Sequence, residues 1–156
     1  EIQKIKAESE DIMQWIKNAN YTKLVIEESM RLYPPAYFID RVNKEEDIYN
    51  EIVLPKNSNI LFSVYEIHRH PDFWKNPNEF IPERFLDENM KFSKNYYPFG
   101  AGPRMCIGNN FAMYEIILVI LTVVEQFEIV EKKTPIQIKP LITLKPYDAV
   151  LEFKNR

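Results

Sequence analysis

The spacing of apolar residues along the chain predicts three helices. Residues 1–18 place isoleucines and a tryptophan at helical intervals among charges, without Gly or Pro, which indicates one amphipathic helix. A second helix is predicted from about Thr22 to Leu32, where a Pro-Pro pair ends it because proline cannot donate the helical hydrogen bond. Phe111 to Phe127 is apolar almost all round, which predicts one buried helix.

Short apolar runs between these helices predict strands. Ile48 to Leu54 and Ile60 to Val64 are expected to form a hairpin, followed by a short helix that ends at His70-Pro71. The tail from Phe127 to Phe153 alternates apolar and polar residues between prolines, which is typical of strands at a sheet edge. The alternating pairs in this tail are Ile136/Ile138, Ile142/Leu144 and Leu151/Phe153.

The stretch from Asp72 to Pro103 predicts a long coil. It is rich in proline, asparagine, lysine and aromatic residues, and coils of this length in a compact domain usually carry function. No repeat or linker divides the chain, so a single unit is expected. The predicted fold class is α+β, mostly helical, with two core helices, a small β-sheet, this coil and the long buried helix after it.

Composition and charge narrow the classes of protein. The chain has 156 residues, of which 46% are hydrophobic and 28% charged, as in one globular domain. The net charge is -3 without a basic stripe, which argues against a nucleic-acid partner. The longest apolar run, Ile116 to Val124, is about half of what a bilayer span needs, so no membrane segment is expected within these residues. We expect a cytoplasmic location and leave open an N-terminal anchor outside these residues.

Candidate chemistry is concentrated in one loop. The three glycines of the chain, Gly100, Gly102 and Gly108, surround its single cysteine, Cys106. Glycines placed together imply backbone with φ > 0 or the close approach of a bulky group. A lone cysteine cannot form an internal disulfide. Cys106 precedes a predicted helix and follows Arg104 by two residues, so positive potential favours its thiolate, which is a soft ligand for iron.

This loop resembles the haem-binding signature of the cytochrome P450 family. The pattern F-x-x-G-x-R-x-C-x-G is met at all five fixed positions, from Phe99 to Gly108. The resemblance implies haem b, with Cys106 as the axial ligand of the haem iron and as the catalytic residue. It also implies that Arg41 and Arg104 reach the haem propionates and that Phe99 lies against the proximal side of the haem. The implied cofactor-binding residues are Phe99, Gly100, Gly102, Arg104, Cys106, Gly108 and Arg41.

Two further segments carry the same resemblance. Glu28 to Arg31 matches the E-x-x-R helix of the family, and Pro82 to Phe85 matches its P-E-R-F element. The resemblance implies a buried triad of Glu28, Arg31 and Arg84 behind the haem. E-x-x-R is a weak pattern by itself, since Glu66 to Arg69 also matches it, so position along the chain selects the first pair. The alternative is a solvated salt bridge with an unrelated arginine.

The resemblance implies that residues 1–156 are the C-terminal haem-binding part of a single cytochrome P450 domain. Members of the family are far longer, and the elements expected over the distal side of the haem lie upstream. The chain begins inside a predicted helix without a cap, which agrees with this expectation. The segment alone is expected to be inactive.

The implied activity of the parent protein is that of a haem-thiolate monooxygenase. It would insert one oxygen atom from O2 into an apolar organic substrate, with electrons that come indirectly from NAD(P)H. The implied donor is a ferredoxin, a flavodoxin or a flavin reductase. Two apolar segments are candidates for substrate contact, and their residues are Ala36, Tyr37, Phe38, Ile142 and Thr143.

Two alternatives stay open from the sequence. One is a haem-binding remnant, or an electron-transfer or sensor module, without catalysis. The other is a relative that uses peroxide or rearranges hydroperoxides, although such relatives often have a distorted cysteine loop.

Other polar residues have simpler interpretations. His68 and His70 are expected at the surface or in a capping role, because no carboxylate spacing completes a metal site with them. A hydrogen bond from His68 to the nearby core stays open. Lys91 and Lys94 precede the cysteine loop and could steer an acidic electron donor, but a solvated loop is the simpler interpretation.

Overall fold

The computed structural model describes residues 1–91, 93–130, 137–147 and 149–156. The α-helices are α1 (Ile2–Glu8), α2 (Ile12–Asn18), α3 (Asn20–Leu32), α4 (Val64–Ile67) and α5 (Asn109–Gln126). The strands are β1 (Phe38–Val42), β2 (Asp47–Tyr49), β3 (Ile52–Leu54), β4 (Asn59–Ser63), β5 (Phe127–Val130), β6 (Gln137–Pro140), β7 (Leu144–Tyr147) and β8 (Glu152–Asn155). Short 3₁₀ turns lie at Pro82–Leu86, Glu88–Met90 and Gly102–Arg104. None of the helices in the described ranges is both long enough and apolar enough to cross a membrane.

Helix α3 lies between two hydrophobic clusters. Its Ile26 and Met30 join a core shared with α1, α2 and α5, whereas its Leu24 joins an aromatic cluster beneath the long coil. The core cluster consists of Ile2, Ile5, Ile16, Ala19, Ile26, Met30, Ile117 and Leu121. The aromatic cluster consists of Leu24, Trp74, Phe85 and Tyr96. One helix therefore connects the helical part of the chain to the coil that leads to the cysteine.

The prediction of one helix over residues 1–18 is wrong at residues 9–11. Ser9 is extended, with φ -161° and ψ 147°, and α2 starts afresh after Asp11. The Asp11 carboxylate accepts a hydrogen bond from the backbone N–H of Met13, and the Ser9 carbonyl accepts one from the Trp15 indole. Short polar side chains compete with the helical ladder in this way and act as caps. Helix α3 begins two residues before the predicted start and ends at Leu32 as expected.

The predicted hairpin between residues 48–54 and 60–64 is also wrong. Strand β3 pairs with β2, from Asp47 opposite Leu54 to Tyr49 opposite Ile52. Strand β4 pairs with β1, so one hairpin is nested inside the other. The β2–β3 turn consists of Asn50 and Glu51, both with positive φ, at 47° and 68°. A two-residue turn with φ > 0 at both positions fits the twist of an antiparallel pair, which explains the tight hairpin.

The tail forms two further antiparallel pairs. β5 pairs with β8 and β6 pairs with β7, so strands are present in this region as predicted. Ile138, Leu144 and Phe153 lie in strands, whereas Ile142 lies in the turn between β6 and β7. Ile136 lies outside the described residues. The four pairs in the described ranges are separate two-stranded sheets rather than one small sheet.

Helix α5 follows the cysteine loop and is the longest described helix. It begins two residues before the predicted start, and α1, α2 and α3 pack against one side of it. Ile117 and Leu121 are its buried residues, whereas Phe111 and Val119 are 72% and 55% exposed. Within this chain, α5 therefore buries one stripe of its apolar side chains, and its other apolar side chains stay exposed.

We expect Glu51→Gly to stabilise the chain by about 0.5–1 kcal/mol, because glycine adopts φ > 0 without the steric strain of a Cβ. Chemical unfolding monitored by circular dichroism measures the change. Glu46→Gly is the matched control, since it removes the same exposed charge at a position without positive φ, and it should not stabilise. An equal change in the free energy of unfolding for both substitutions would contradict strain from the positive φ of Glu51.

Candidate functional site

Glu28 and Arg31 form a fully buried ion pair on α3. Arg31 donates from Nε to Glu28 Oε2 at 2.7 Å and from Nη2 to Glu28 Oε1 at 2.8 Å. Arg84 donates from Nε to Glu28 Oε1 at 3.3 Å, and so does the backbone N–H of Ile81 at 2.9 Å. The three residues singled out from the sequence thus lie together, with the carboxylate between two guanidinium groups. This fork geometry is the strong form of a charge-assisted pair.

The remaining N–H groups of Arg31 bind main-chain carbonyls at the end of α4 and in the coil. Nη1 donates to the backbone carbonyls of His68 and Pro77, at 2.7 and 2.8 Å, and Nη2 donates to that of Glu79 at 3.1 Å. All five guanidinium N–H groups therefore have an acceptor. Trp74 covers the guanidinium, with the ring centroid 5.1 Å from Cζ. A buried charge is tolerated only when it is paired and hydrogen-bonded to this extent.

His68 is buried, which corrects the expected surface or capping role. Its Nε2 accepts a hydrogen bond from the backbone N–H of Tyr97 at 2.7 Å, so the ring proton is on Nδ1, which faces the Arg31 carbonyl at 3.2 Å. Burial lowers the pKa of His68 from 6.5 to about 4; the hydrogen bond to Arg31 opposes this shift and the Arg31 charge adds to it. The ring is neutral at physiological pH. His70 is exposed, as expected.

The cysteine loop is a series of tight turns before α5. Gly100 and Gly102 have φ of 76° and 68°, which residues with a Cβ rarely adopt. The backbone N–H of Gly100 donates to the Tyr97 carbonyl, and that of Cys106 donates to the Phe99 carbonyl at 2.9 Å. Cys106 lies three residues before the first residue of α5 and is exposed. These turns present the thiol outward from the helix N-terminus.

Apolar side chains flank the exposed thiol. Ile107 and Phe111 are 102% and 72% exposed, and Met105 is 49% exposed. A Cβ on Gly108 would lie 3.9 Å from the Cys106 sulfur, so glycine leaves space beside it. Phe99 is half-buried and packs against the core cluster. The thiol is therefore open to solvent and lies in a stretch of the chain with exposed apolar side chains, which suits a wide flat ligand.

Arg41 and Arg104 lie near this surface on separate elements. Ile39 of β1 approaches the loop, because its Cδ1 would be 3.7 Å from a Cβ on Gly100. Arg41 follows two residues later on the same strand and so shares the face of Ile39. Arg104 ends the 3₁₀ turn next to the cysteine. Neither guanidinium forms an ion pair with the residues of the described ranges, and both are exposed.

The two segments expected to touch substrate lie next to each other. Tyr37 donates its hydroxyl hydrogen to the Leu141 carbonyl at 2.7 Å, and the Leu144 N–H donates to the Pro35 carbonyl at 2.9 Å. A cleft of about 290 Å³ lies between them, lined by Tyr37, Tyr65, Ile138, Pro140 and Leu144. Of the five expected residues, Tyr37 lines this cleft. Ala36 and Phe38 are exposed beside it, Ile142 is 95% exposed, and Thr143 is half-buried in the turn.

The donor set suits a metal that brings most of its own ligands. Within the described ranges, no three His, Cys, Asp or Glu side chains are close enough to hold a metal ion together. A single exposed thiol in an apolar setting can supply one axial ligand to an iron whose other ligands come from a porphyrin. The residues present therefore fit haem.

Comparison with known proteins establishes the family. The family model of cytochrome P450 matches residues 1–153. This chain belongs to the cytochrome P450 family. The family assignment made from the cysteine loop is therefore confirmed.

Individual members of the P450 family match most of this chain. The mouse protein cytochrome P450 3A25 is 39% identical over 116 residues, which are 73% of this chain and 23% of the relative. The lithocholate 6-beta-hydroxylase of Mesocricetus auratus is 40% identical over 109 residues, which are 69% of this chain and 22% of that protein. The chain thus spans about a quarter of the length of the curated relatives it matches.

A solved structure supports the fold. The crystal structure of the cytochrome P450 CYP102L1 is 32% identical, with a TM-score of 0.80 over 90% of this chain and 33% of that chain. The arrangement of helices, small sheets, coil and cysteine loop is therefore that of a P450 haem domain.

Sequence reasoning did not predict the full burial of His68 in this P450 chain. Its partners, Arg31 and Tyr97, are 37 and 29 residues away along the chain, so no local spacing connects them. The one local signal was a histidine at the end of a short helix, just before an aromatic-rich coil.

We expect Arg31→Met to lower the free energy of unfolding by about 3–5 kcal/mol, because it leaves Glu28 buried with only Arg84 as a charged partner. Urea unfolding measures the change. Arg156→Met is the matched control, since Arg156 is exposed and makes one side-chain hydrogen bond at 3.2 Å. A double substitution with Glu28→Leu should cost less than the sum of the two single changes. Equal effects of Arg31→Met and Arg156→Met would show that the pair is not a buried network.

Proposed function

We propose that this chain is the C-terminal haem-binding part of a haem-thiolate monooxygenase. One observation carries the proposal: in a member of the P450 family, the single cysteine lies exposed in a glycine loop, in a stretch with exposed apolar side chains. In this proposal Cys106 binds the haem iron as a thiolate. When bound, haem b supplies the iron centre at which O2 is reduced and one oxygen atom is transferred to an organic substrate.

The residues around Cys106 would hold the cofactor. Gly100 and Gly102 turn the backbone with positive φ and, having no side chain, would let the haem come close to the loop, and Gly108 leaves space beside the sulfur. Arg41 and Arg104 carry guanidinium groups suited to the two haem propionates. Phe99 supports the loop from the core side. Ile107 and Phe111 are exposed and would supply an apolar surface for the haem.

The triad of Glu28, Arg31 and Arg84 would act through structure rather than chemistry. The Glu28 carboxylate is paired with the guanidinium groups of both Arg31 and Arg84. Glu28 and Arg31 are fully buried. Their proposed role is to fix the path of the coil that ends at the cysteine loop.

An apolar organic substrate fits the residues that could reach it. The segments at residues 36–38 and 142–143 carry apolar and aromatic side chains, apart from Thr143, and border the cleft between the α3–β1 connection and the tail. The relative named lithocholate 6-beta-hydroxylase supports hydroxylation as the type of reaction.

Electrons would come indirectly from NAD(P)H through a ferredoxin, a flavodoxin or a flavin reductase. Lys91 and Lys94 precede the cysteine loop, and Lys94 is exposed, so an acidic donor could meet positive charge there. The docking role of these lysines and the cytoplasmic location both stay predictions.

We expect the reduced, haem-loaded full-length protein to show the strongly red-shifted carbon monoxide Soret band of a thiolate-ligated haem. Cys106→Ser should abolish this band, because a serine hydroxyl is not a thiolate donor. Met105→Leu is the control: it removes the neighbouring sulfur and should leave the band unchanged. Loss of the band in both variants, or in neither, would contradict the assignment of Cys106 as the ligand.

Turnover separates the monooxygenase from the alternatives. With O2 and a reductant, we expect the full-length protein to oxidise apolar substrates faster than with peroxide alone. Turnover with a peroxide or hydroperoxide alone would instead favour the peroxide-using or rearranging relatives. A thiolate spectrum without turnover under either condition would favour an electron-transfer or sensor module.

A further inference from the structure

His68 connects the buried ion pair to the cysteine loop. On one side the Arg31 guanidinium donates to the His68 carbonyl at 2.7 Å, while the Arg31 carbonyl accepts from the His68 ring. On the other side the His68 ring accepts from the Tyr97 backbone N–H at 2.7 Å. The side chain of each residue in the Arg31–His68 pair therefore donates to the backbone carbonyl of the other. The same imidazole ring also binds the backbone of Tyr97.

Tyr97 lies at the start of the turns that present the cysteine. Its carbonyl accepts from the Gly100 N–H, and two residues later the Phe99 carbonyl accepts from the Cys106 N–H. A shift of the Tyr97 backbone would therefore move both turns. The position of the Cys106 sulfur depends on where the Tyr97 N–H is held.

The surroundings of His68 leave its ring little freedom. Tyr96 stacks on it with centroids 5.1 Å apart, and Trp74 meets it edge-on at 6.4 Å. The Trp74 indole donates to the Ile67 carbonyl, and the Tyr96 hydroxyl donates to Glu27, so both neighbours are themselves fixed. The ring has no exposed surface. Because the imidazole stays neutral when buried, its Nε2 keeps the lone pair that the Tyr97 N–H requires.

From this geometry we infer that His68 is a positioning residue for the haem ligand: its Nε2 acceptor fixes the Tyr97 backbone and, through it, the placement of the Cys106 sulfur. The inference rests on the proposed haem-thiolate function and adds a residue to it. His68 touches neither substrate nor cofactor in this role. It transmits the rigidity of the Glu28–Arg31–Arg84 cluster to the loop.

Three substitutions separate the two hydrogen bonds of the ring. In His68→Gln the amide oxygen reaches the place of Nε2 and keeps an acceptor for the Tyr97 N–H. In His68→Asn the shorter amide reaches the place of Nδ1 and keeps only the donor to the Arg31 carbonyl. His68→Leu keeps neither hydrogen bond. A buried N–H without an acceptor disfavours the conformation that contains it.

The measurement is the carbon monoxide spectrum of the reduced, haem-loaded full-length protein, followed over time. We expect the thiolate band of His68→Asn and His68→Leu to decay about tenfold faster than that of the unsubstituted protein, the size expected when a buried N–H loses its acceptor. The thiolate band of His68→Gln should decay at a rate within about twofold of that of the unsubstituted protein. Slow decay in His68→Asn, or equally fast decay in His68→Gln and His68→Asn, would overturn the inference.

Tyr96→Phe is the control for a purely structural effect. It removes a buried hydrogen bond to Glu27 beside the same ring but leaves the Tyr97 N–H and its acceptor in place. It should destabilise the protein without speeding the decay of the thiolate band. Decay as fast as that of His68→Asn would assign His68 to general stability instead.

The spectrum of the unsubstituted protein distinguishes the two proposals. If it shows no thiolate band, the proposed haem-thiolate function fails. If it shows the band, and the band decays at the same rate in His68→Gln, His68→Asn and His68→Leu, only the positioning role of His68 fails.

Discussion

The buried ion pair of Arg31 with Glu28 is the constraint on which the rest of the structure depends. Two charges without solvent contact are costly to bury, and this cost is offset only because every N–H of the guanidinium has an oxygen to bind. Two of those oxygens belong to the partner carboxylate and three to the backbone of a distant segment. Satisfying the charge therefore forces that segment onto α3, and the fold of the coil follows from the electrostatics of one side chain.

The conformation of the cysteine loop depends indirectly on this ion pair. Its own turns contain few buried apolar residues, and its glycines add freedom to the unfolded chain, so the loop has little intrinsic preference for one shape. The aromatic cluster around Trp74 and the neutral ring of His68 lie between the ion pair and the loop. The loop that presents the Cys106 sulfur is thus attached, through Tyr97, to a base held by hydrogen bonds and aromatic packing.

Much of the architecture could be predicted from the sequence, and the misses have physical reasons. Apolar spacing located α3 and α5, and the order of five fixed residues was enough to locate the cysteine loop. The hairpin pairing was missed because Asn50-Glu51 lacks the glycine that usually marks such a turn. The break near Ser9 depends on a cap hydrogen bond that competes with helix propensity. The burial of His68 depends on two distant backbone groups, and no periodicity encodes those.

The way in which Arg31 binds the coil has a consequence for how this region can change over evolution. Arg31 makes three hydrogen bonds to main-chain carbonyls, at positions 68, 77 and 79. Every amino acid has such a carbonyl. The side chains of Pro77 and Glu79 contribute nothing to these contacts. Positions 77 and 79 can therefore change in sequence while the chain keeps its path, because one arginine on α3 binds the main chain there. Asn76 is the exception in this segment, since its φ of 49° favours asparagine or glycine.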